Sequence, residues 1–314
     1  LTCHQGCLYT IAGAAALPNQ LISINQEAVI TTIYAPATLD VETTNLAQPT
    51  SIFFPSGNHQ MVHAFFYHPT SASYCGQANE LPPVIVMCHG GPTGATDSGL
   101  NLKLQYWTSR GFAVVDINYR GSTGFGRTYR QALGGAWGLA DVEDTQNAVH
   151  YLAQQKKIDA QRCLIRGGSA GGYTVLSALT FTDTFKAGAS LYGIGDLETL
   201  ATDTHKFESR YLDSLIGPYP ERKDIYIARS PIHHAEGLNC PVIFLQGLKD
   251  KVVPPNQAEM MVELLRSKGI KVAHVTFADE GHGFRKAKNI IQAMEAELAF
   301  YQQVFHLGAD NNPN

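Results

Sequence analysis

The chain has 314 residues, of which 44% are apolar and 16% charged, and its formal net charge is −4. That length allows two domains at most, with a core large enough for an enzyme, and the composition is that of a soluble globular protein. The absence of a basic stripe argues against nucleic acid or an anionic membrane as partners, and no apolar run approaches the roughly 18 residues of a membrane span.

The opening "LTCHQGCLYTIAGAAALPNQ" has a short apolar stretch with no basic residue ahead of it and is not read as a signal peptide. Without an initiator Met, the chain reads as a piece of a longer protein. Residues 1–48 show period-2 patches such as "QLISINQ" and "AVITTIYAP" and no helical pattern, which predicts three or four short strands. "TSIFFPSGNHQMVHAFFYHP" places two strand-like runs around Ser56, Gly57 and Asn58 and predicts a hairpin.

From Pro83 the pattern changes. "PVIVMC", "FAVVDI", "RCLIRG", "AGASLYG", "PVIFLQG" and "KVAHVTF" are short, continuously apolar runs, suited to strands buried on both faces of a mostly parallel sheet. Helical stretches alternate with them: "GLADVEDTQNAVHYLAQQKK", "GGYTVLSALTF", "NQAEMMVELLRSKG" and "RKAKNIIQAMEAELAFYQQVF". The last carries Ile290, Ile291, Met294, Leu298 and Tyr301 near helical spacing, an amphipathic stripe. The expected fold class is α/β, a doubly wound, mostly parallel sheet. It occupies residues 49–308, preceded by a short all-β segment over 1–48 and followed by a disordered tail over 309–314.

The six cysteines, Cys3, Cys7, Cys75, Cys88, Cys163 and Cys240, form no zinc-site spacing and are read as free thiols in a reducing compartment, hence a cytoplasmic protein. "RGSTGFG" (120–126) lacks the G-x-G-x-x-G spacing, and no helix is expected to open directly on it, so a dinucleotide site is set aside. No His/Asp/Glu set stands at metal-ligand spacing; neither metal nor other cofactor is expected.

The chemistry concentrates at Gly167-Gly168-Ser169-Ala170-Gly171, between the strand "RCLIRG" and the helix "GGYTVLSAL". This is a G-x-S-x-G turn in strand–turn–helix context, a nucleophile elbow. Small neighbours let the chain turn sharply and expose the serine oxygen, and the Ala170 N–H faces whatever the serine attacks. A serine hydroxyl needs a base. In the order Ser, acid, His, Asp250 follows "PVIFLQG" and His282 lies in "ADEGHGF" after "KVAHVTF". Asp196 and Asp279 compete as the acid, and His233, His234 and His274 as the base. His233 and His234 precede a strand, and His274 lies inside one. The second oxyanion donor is expected in "HGGPTG", at Gly91 first and Gly90 second.

With these in place, the chain resembles the prolyl oligopeptidase family of serine peptidases, in its acylaminoacyl-peptidase and dipeptidyl-aminopeptidase-like branch. The resemblance runs from about Pro49 to Phe305, through "CHGGPTG", "NYRGSTGFGR", "WGLADVED", "RGGSAGGY", "SLYGIGDLE", "SPIHH", "LQGLKDKVVPPNQ" and "EGHGFRK". It implies an α/β-hydrolase fold and a short peptide substrate cleaved through an acyl-enzyme. It also implies a β-propeller in the parent protein, of which residues 1–48 would be the tail. Ser169 would be the nucleophile, His282 the base and Asp250 its orienting acid, with Gly91 and Ala170 forming the oxyanion hole. Two positions depart from the family. His89 stands where prolyl-specific members carry a Tyr hydroxyl. Val252 stands where some relatives carry a substrate-clamping Arg; Arg210 could substitute, but an Arg in such a segment is more often a solvated or ion-paired surface group. A carboxylesterase of the same fold and a non-catalytic binding module are the competing readings, and homo-oligomerisation is left open.

Overall fold

The computed structural model describes residues 1–36, 39–203 and 209–307. The expected tail at 309–314 lies outside these. The period-2 patches at the N-terminus form four strands: β1 (Thr2–His4), β2 (Cys7–Ala14), β3 (Leu17–Ile24) and β4 (Ile30–Tyr34). They pair in sequence order as an antiparallel meander, a sheet separate from the one that follows. Ile22 is the buried apolar side chain of these strands, whereas Ile11, Leu21, Ile30, Ile33 and Tyr34 are exposed.

The hairpin predicted around Gly57 is present as β5 (Thr50–Pro55) and β6 (Met61–Tyr67), in antiparallel register Thr50↔Phe66 to Pro55↔Met61. The elements after it are β7 (Val84–Cys88), α1 (Leu102–Thr108), β8 (Ala113–Asn118), α2 (Gly126–Gln131), α3 (Ala140–Gln154), β9 (Cys163–Gly168) and α4 (Ala170–Phe181). Next come β10 (Ala187–Leu191), α5 (Leu197–Asp203), α6 (Tyr211–Leu215), α7 (Lys223–Arg229), β11 (Val242–Gly247), α8 (Asn256–Ser267), β12 (Val272–Phe277) and α9 (Ala287–Phe305). α2 opens on the last glycine of "RGSTGFG", against the sequence expectation; its six residues are too few to show a helical period.

β5 to β12 form one eight-stranded sheet in the order β12-β11-β10-β9-β7-β8-β6-β5. The pairings from β12 to β8 are parallel, and those joining β8, β6 and β5 are antiparallel. β7, β8 and β11 are buried at every position, as expected of strands covered on both faces, and the polar Asp116, Asn118 and Gln246 are buried among their apolar residues. α3, α4 and α8 contribute to the core on one face, and α1 and α9 to that on the other. This is the α/β-hydrolase arrangement. The chain passes from β7 to β8 on one side and then returns to β9 on the other. The carboxyl ends of β7 and β9 therefore lie side by side where the strand order reverses, the usual place for a ligand crevice in such sheets.

Candidate active site

Ser169 joins β9 to α4 with φ 57° and ψ −124°, a backbone conformation that L residues rarely adopt. It is held there by its own N–H, which donates to Leu191 O (3.0 Å), and by its carbonyl, which accepts from the Tyr173 N–H (3.1 Å). Ser169 occupies the N-cap position of α4, yet its side chain makes no capping bond, so its Oγ is left for other chemistry. The flanking glycines are required by close approach. A Cβ on Gly171 would stand 2.2 Å from Cys88 O at the end of β7, and one on Gly167 would stand 2.5 Å from the Gly171 carbonyl. The elbow is thus wedged against the end of β7.

The loop leaving β7 carries His89, Gly90 and Gly91. A Cβ on Gly90 would stand 3.6 Å from the Ser169 Cβ, and Gly91, with φ +124°, lines a small cavity together with Ser169 and Ala170. The Ala170 N–H is the first of α4, where no carbonyl of the same helix can accept it. His89 is stacked on Tyr119 (4.2 Å between ring centroids) and hydrogen-bonded to Ser122 Oγ at 2.8 Å, which ties this loop to the one after β8. Burial holds its imidazole below the ordinary pKa, so the ring is neutral around pH 7.

Asp250 lies in the loop after β11, with its side chain shielded from solvent. One carboxylate oxygen accepts the N–H groups of Val252 (2.9 Å) and Val253 (3.0 Å), and the other accepts from His282 Nδ1 at 2.8 Å. His282 lies in the loop after β12, its side chain 24% exposed, between Gly281 and Gly283. That loop is fastened at its far side by Glu280, whose Oε1 accepts the backbone N–H groups of Arg285 (3.2 Å) and Lys286 (2.9 Å) and the Asn289 amide (2.8 Å). His282 Nε2 is therefore the ring atom available to Ser169. Among the described residues no hydrogen bond joins the two; in hydrolase triads such bonds often tighten only around the reacting group.

Of the competing residues, Asp196, Asp279, His233 and His234 have other partners. Asp196 accepts from the Glu198 N–H and the Thr199 hydroxyl at the start of α5. Asp279 pairs with Lys286 (2.6 Å) and accepts from Asn289; these hold its carboxyl well below the usual range. His233 and His234 form a turn ahead of β11, and His274 lies within β12. Arg210 is exposed and paired with Asp213 at 2.7 Å. The cavity beside Ser169, about 40 Å³, mixes polar and apolar surface: Tyr211 lines it together with Trp137, Ile194, Leu200, Leu212, Val252 and Val253. Sequence reasoning gave neither Trp137 nor Leu212 a place at the site: Trp137 was read only as part of "WGLADVED", Leu212 stands in no quoted motif, and the fold brings both there. It likewise missed Tyr192, which follows β10 and whose ring lies 4.9 Å from that of His282.

The fold is that of the α/β-hydrolase class. A sequence model of the prolyl oligopeptidase family matches residues 98–308, more than half of the chain, and the chain belongs to that family. It is 32% identical over 220 residues to dipeptidyl aminopeptidase BIII of Pseudoxanthomonas mexicana, an overlap covering 68% of this chain and 32% of the relative. Its structure superposes on that of a Mycobacterium tuberculosis puromycin-hydrolyzing peptidase with a TM-score of 0.92 at 42% identity, covering 95% of this chain and 46% of the other. A puromycin hydrolase structure gives a TM-score of 0.95 at 39% identity, covering 99% and 47% respectively. The chain thus spans about a third of the curated relative and just under half of each solved chain.

Proposed function

We propose that the chain carries the catalytic part of a serine peptidase that hydrolyses short peptides through an acyl-enzyme. The observation that carries this reading is the His282 Nδ1–Asp250 bond at 2.8 Å, on loops leaving two adjacent strands of the sheet that holds the Ser169 elbow. Ser169 Oγ attacks the carbonyl carbon of the scissile bond while its proton passes to His282 Nε2. Asp250, fixed by the Val252 and Val253 amides, keeps the Nδ1 proton in place and stabilises the imidazolium. The oxyanion is met by the N–H groups of Ala170 and Gly91. Collapse of the adduct breaks the C–N bond as His282 returns its proton to the leaving amine. Water then repeats the sequence on the acyl-serine and frees the enzyme.

Val252 supports an apolar rather than a cationic wall at the site, so the acyl residue of the substrate is held by packing. The relatives named above act, by their names, as a dipeptidyl aminopeptidase and as puromycin hydrolases, which supports a small peptide-like substrate. In the parent protein, we assign residues 49–308 to the catalytic domain. The four-stranded meander within residues 1–48 has the size of one propeller blade, and we assign it to such a domain. The exposed thiols of Cys3 and Cys75 suit a reducing, cytoplasmic setting.

The test is labelling with a fluorophosphonate followed by peptide mapping. The expected result is modification at Ser169, abolished in Ser169→Ala with no change in melting temperature. Modification elsewhere, or none in a folded sample, would reject the assignment.

A further inference from the structure

Tyr192 has an unusual backbone for its size. Its φ is +40°, in the left-handed region, where a bulky side chain is rare and strained. Its N–H donates to Leu245 O of β11 (2.8 Å), and the residue before it, Leu191, accepts the Ser169 N–H. Residues 191 and 192 thus stitch the elbow on one side to the strand that leads to Asp250 on the other. Strain of this kind persists where the surroundings over-determine it.

The strained backbone directs the ring across the elbow. A Cβ on Gly168 would stand 2.8 Å from Tyr192 Cε2, so the phenol ring covers the residue that precedes Ser169. The same ring contacts His282 at 4.9 Å between centroids with the planes at 64°. It also contacts Phe284 at 5.4 Å with the planes at 88°. Phe284 is in turn backed by Phe277 at the end of β12, at 4.6 Å. The phenol's pKa is raised by burial, so the contact with His282 is that of a neutral ring. His282 is otherwise fixed at Nδ1 by Asp250, and one hydrogen bond leaves an imidazole free to swing about that bond.

We propose that Tyr192 is a positioning residue: its ring, wedged between Gly168 and Phe284, fixes the tilt of the His282 imidazole so that Nε2 meets the Ser169 oxygen. The inference rests on the reading of the site given above. It makes the ring, not the hydroxyl, the working part, and makes the backbone strain the means of aiming it.

The experiment measures the second-order rate of fluorophosphonate labelling at Ser169, with melting curves, in the whole chain and in Tyr192→Phe, Tyr192→Ala and Tyr192→Gly. Phe keeps the ring, Ala removes it and keeps the strain, and Gly removes both. The expected result is a rate within about threefold of wild type for Phe. Ala and Gly are both slower by on the order of 10²-fold, the loss that follows when a reacting group is misplaced by about 1 Å. Should Ala prove too strained to fold, Gly carries the comparison, because its backbone accepts a positive φ. Wild-type rates in Ala and Gly, a Gly variant that recovers what Ala loses, or a Phe variant as slow as Ala would each overturn the inference. Absence of labelling in the wild-type chain would overturn the reading of the site and this inference with it.

Discussion

Single residues in this chain carry costs that their surroundings offset. Asp116, on β8, is 7% exposed and accepts a hydrogen bond from Thr96. Burial pushes its carboxyl up to about 6, against the opposing pull of the Thr96 hydroxyl and the Arg166 charge. A folded-state value above the unfolded one, near 4, means that the folded chain holds the extra proton in between. The stability this group contributes is therefore complete below about pH 4 and is lost as the pH rises through about 6. Wild-type protein is expected to lose up to about 3 kcal/mol more than Asp116→Asn between pH 4 and pH 7. Urea melts at the two pH values check this, and parallel losses in the two proteins would contradict it. The nucleophile, acid and base candidates were legible in the sequence because each sits in a short motif at the end of an apolar run. Tyr192 was not, since a tyrosine after a strand has no signature until its φ and its neighbours are known.

At the scale of elements, α9 shows how a helix can follow its period and still present an unexpected face. The apolar spacing pointed to Ile290, Ile291, Met294, Leu298 and Tyr301. In the fold Asn289, Ala293, Met294, Glu297, Phe300 and Tyr301 are buried, and Ile291 is 56% exposed. The face is rotated because Glu297 turns inward to Arg166 of β9, with contacts of 2.7 and 3.1 Å, and accepts the Tyr301 hydroxyl at 2.8 Å. A paired buried carboxylate cannot be read from hydropathy, which counts it as polar and outward. Glu297→Ala would leave the Arg166 guanidinium buried without its partner and is expected to cost about 3–5 kcal/mol. Equilibrium unfolding measures it, and a loss under about 1 kcal/mol would mean that Arg166 finds another acceptor. The helices α5, α6 and α7 escaped the sequence reading for a simpler reason. They have five to seven residues each, less than two turns, and a helical period needs a longer window. α1 is equally short, although Asn101 caps it through its side chain at Lys103 and Leu104.

For the whole molecule, the alternation of buried strands and helices was enough to identify the α/β class. The strand order was not legible, because placing β7 between β8 and β9 depends on pairings between distant segments. The two sheets also differ in kind. The eight-stranded sheet has helices on both faces. The four-stranded one has a cross-strand row of Ile11, Leu21 and Tyr34, which are partners in register, open to solvent. A sheet that buries so little should open by local fluctuation well below the global unfolding energy. Amide hydrogen exchange is expected to show β2 and β3 less protected than β7 to β11 by on the order of 10²-fold or more. Equal protection would mean that the two sheets unfold as one cooperative unit.

The position of β12 at the edge of the large sheet has a consequence in time. His282 follows β12, the last strand of the large sheet in chain order, and Asp250 follows β11, while the Ser169 elbow is complete much earlier in the chain. At roughly 5–20 residues per second of synthesis, on the order of ten seconds separate the emergence of the serine from that of its proposed base. During that interval the nascent chain holds the proposed nucleophile without its proposed base. On the proposed reading, the order of synthesis keeps the serine apart from its base until the edge strand β12 has docked.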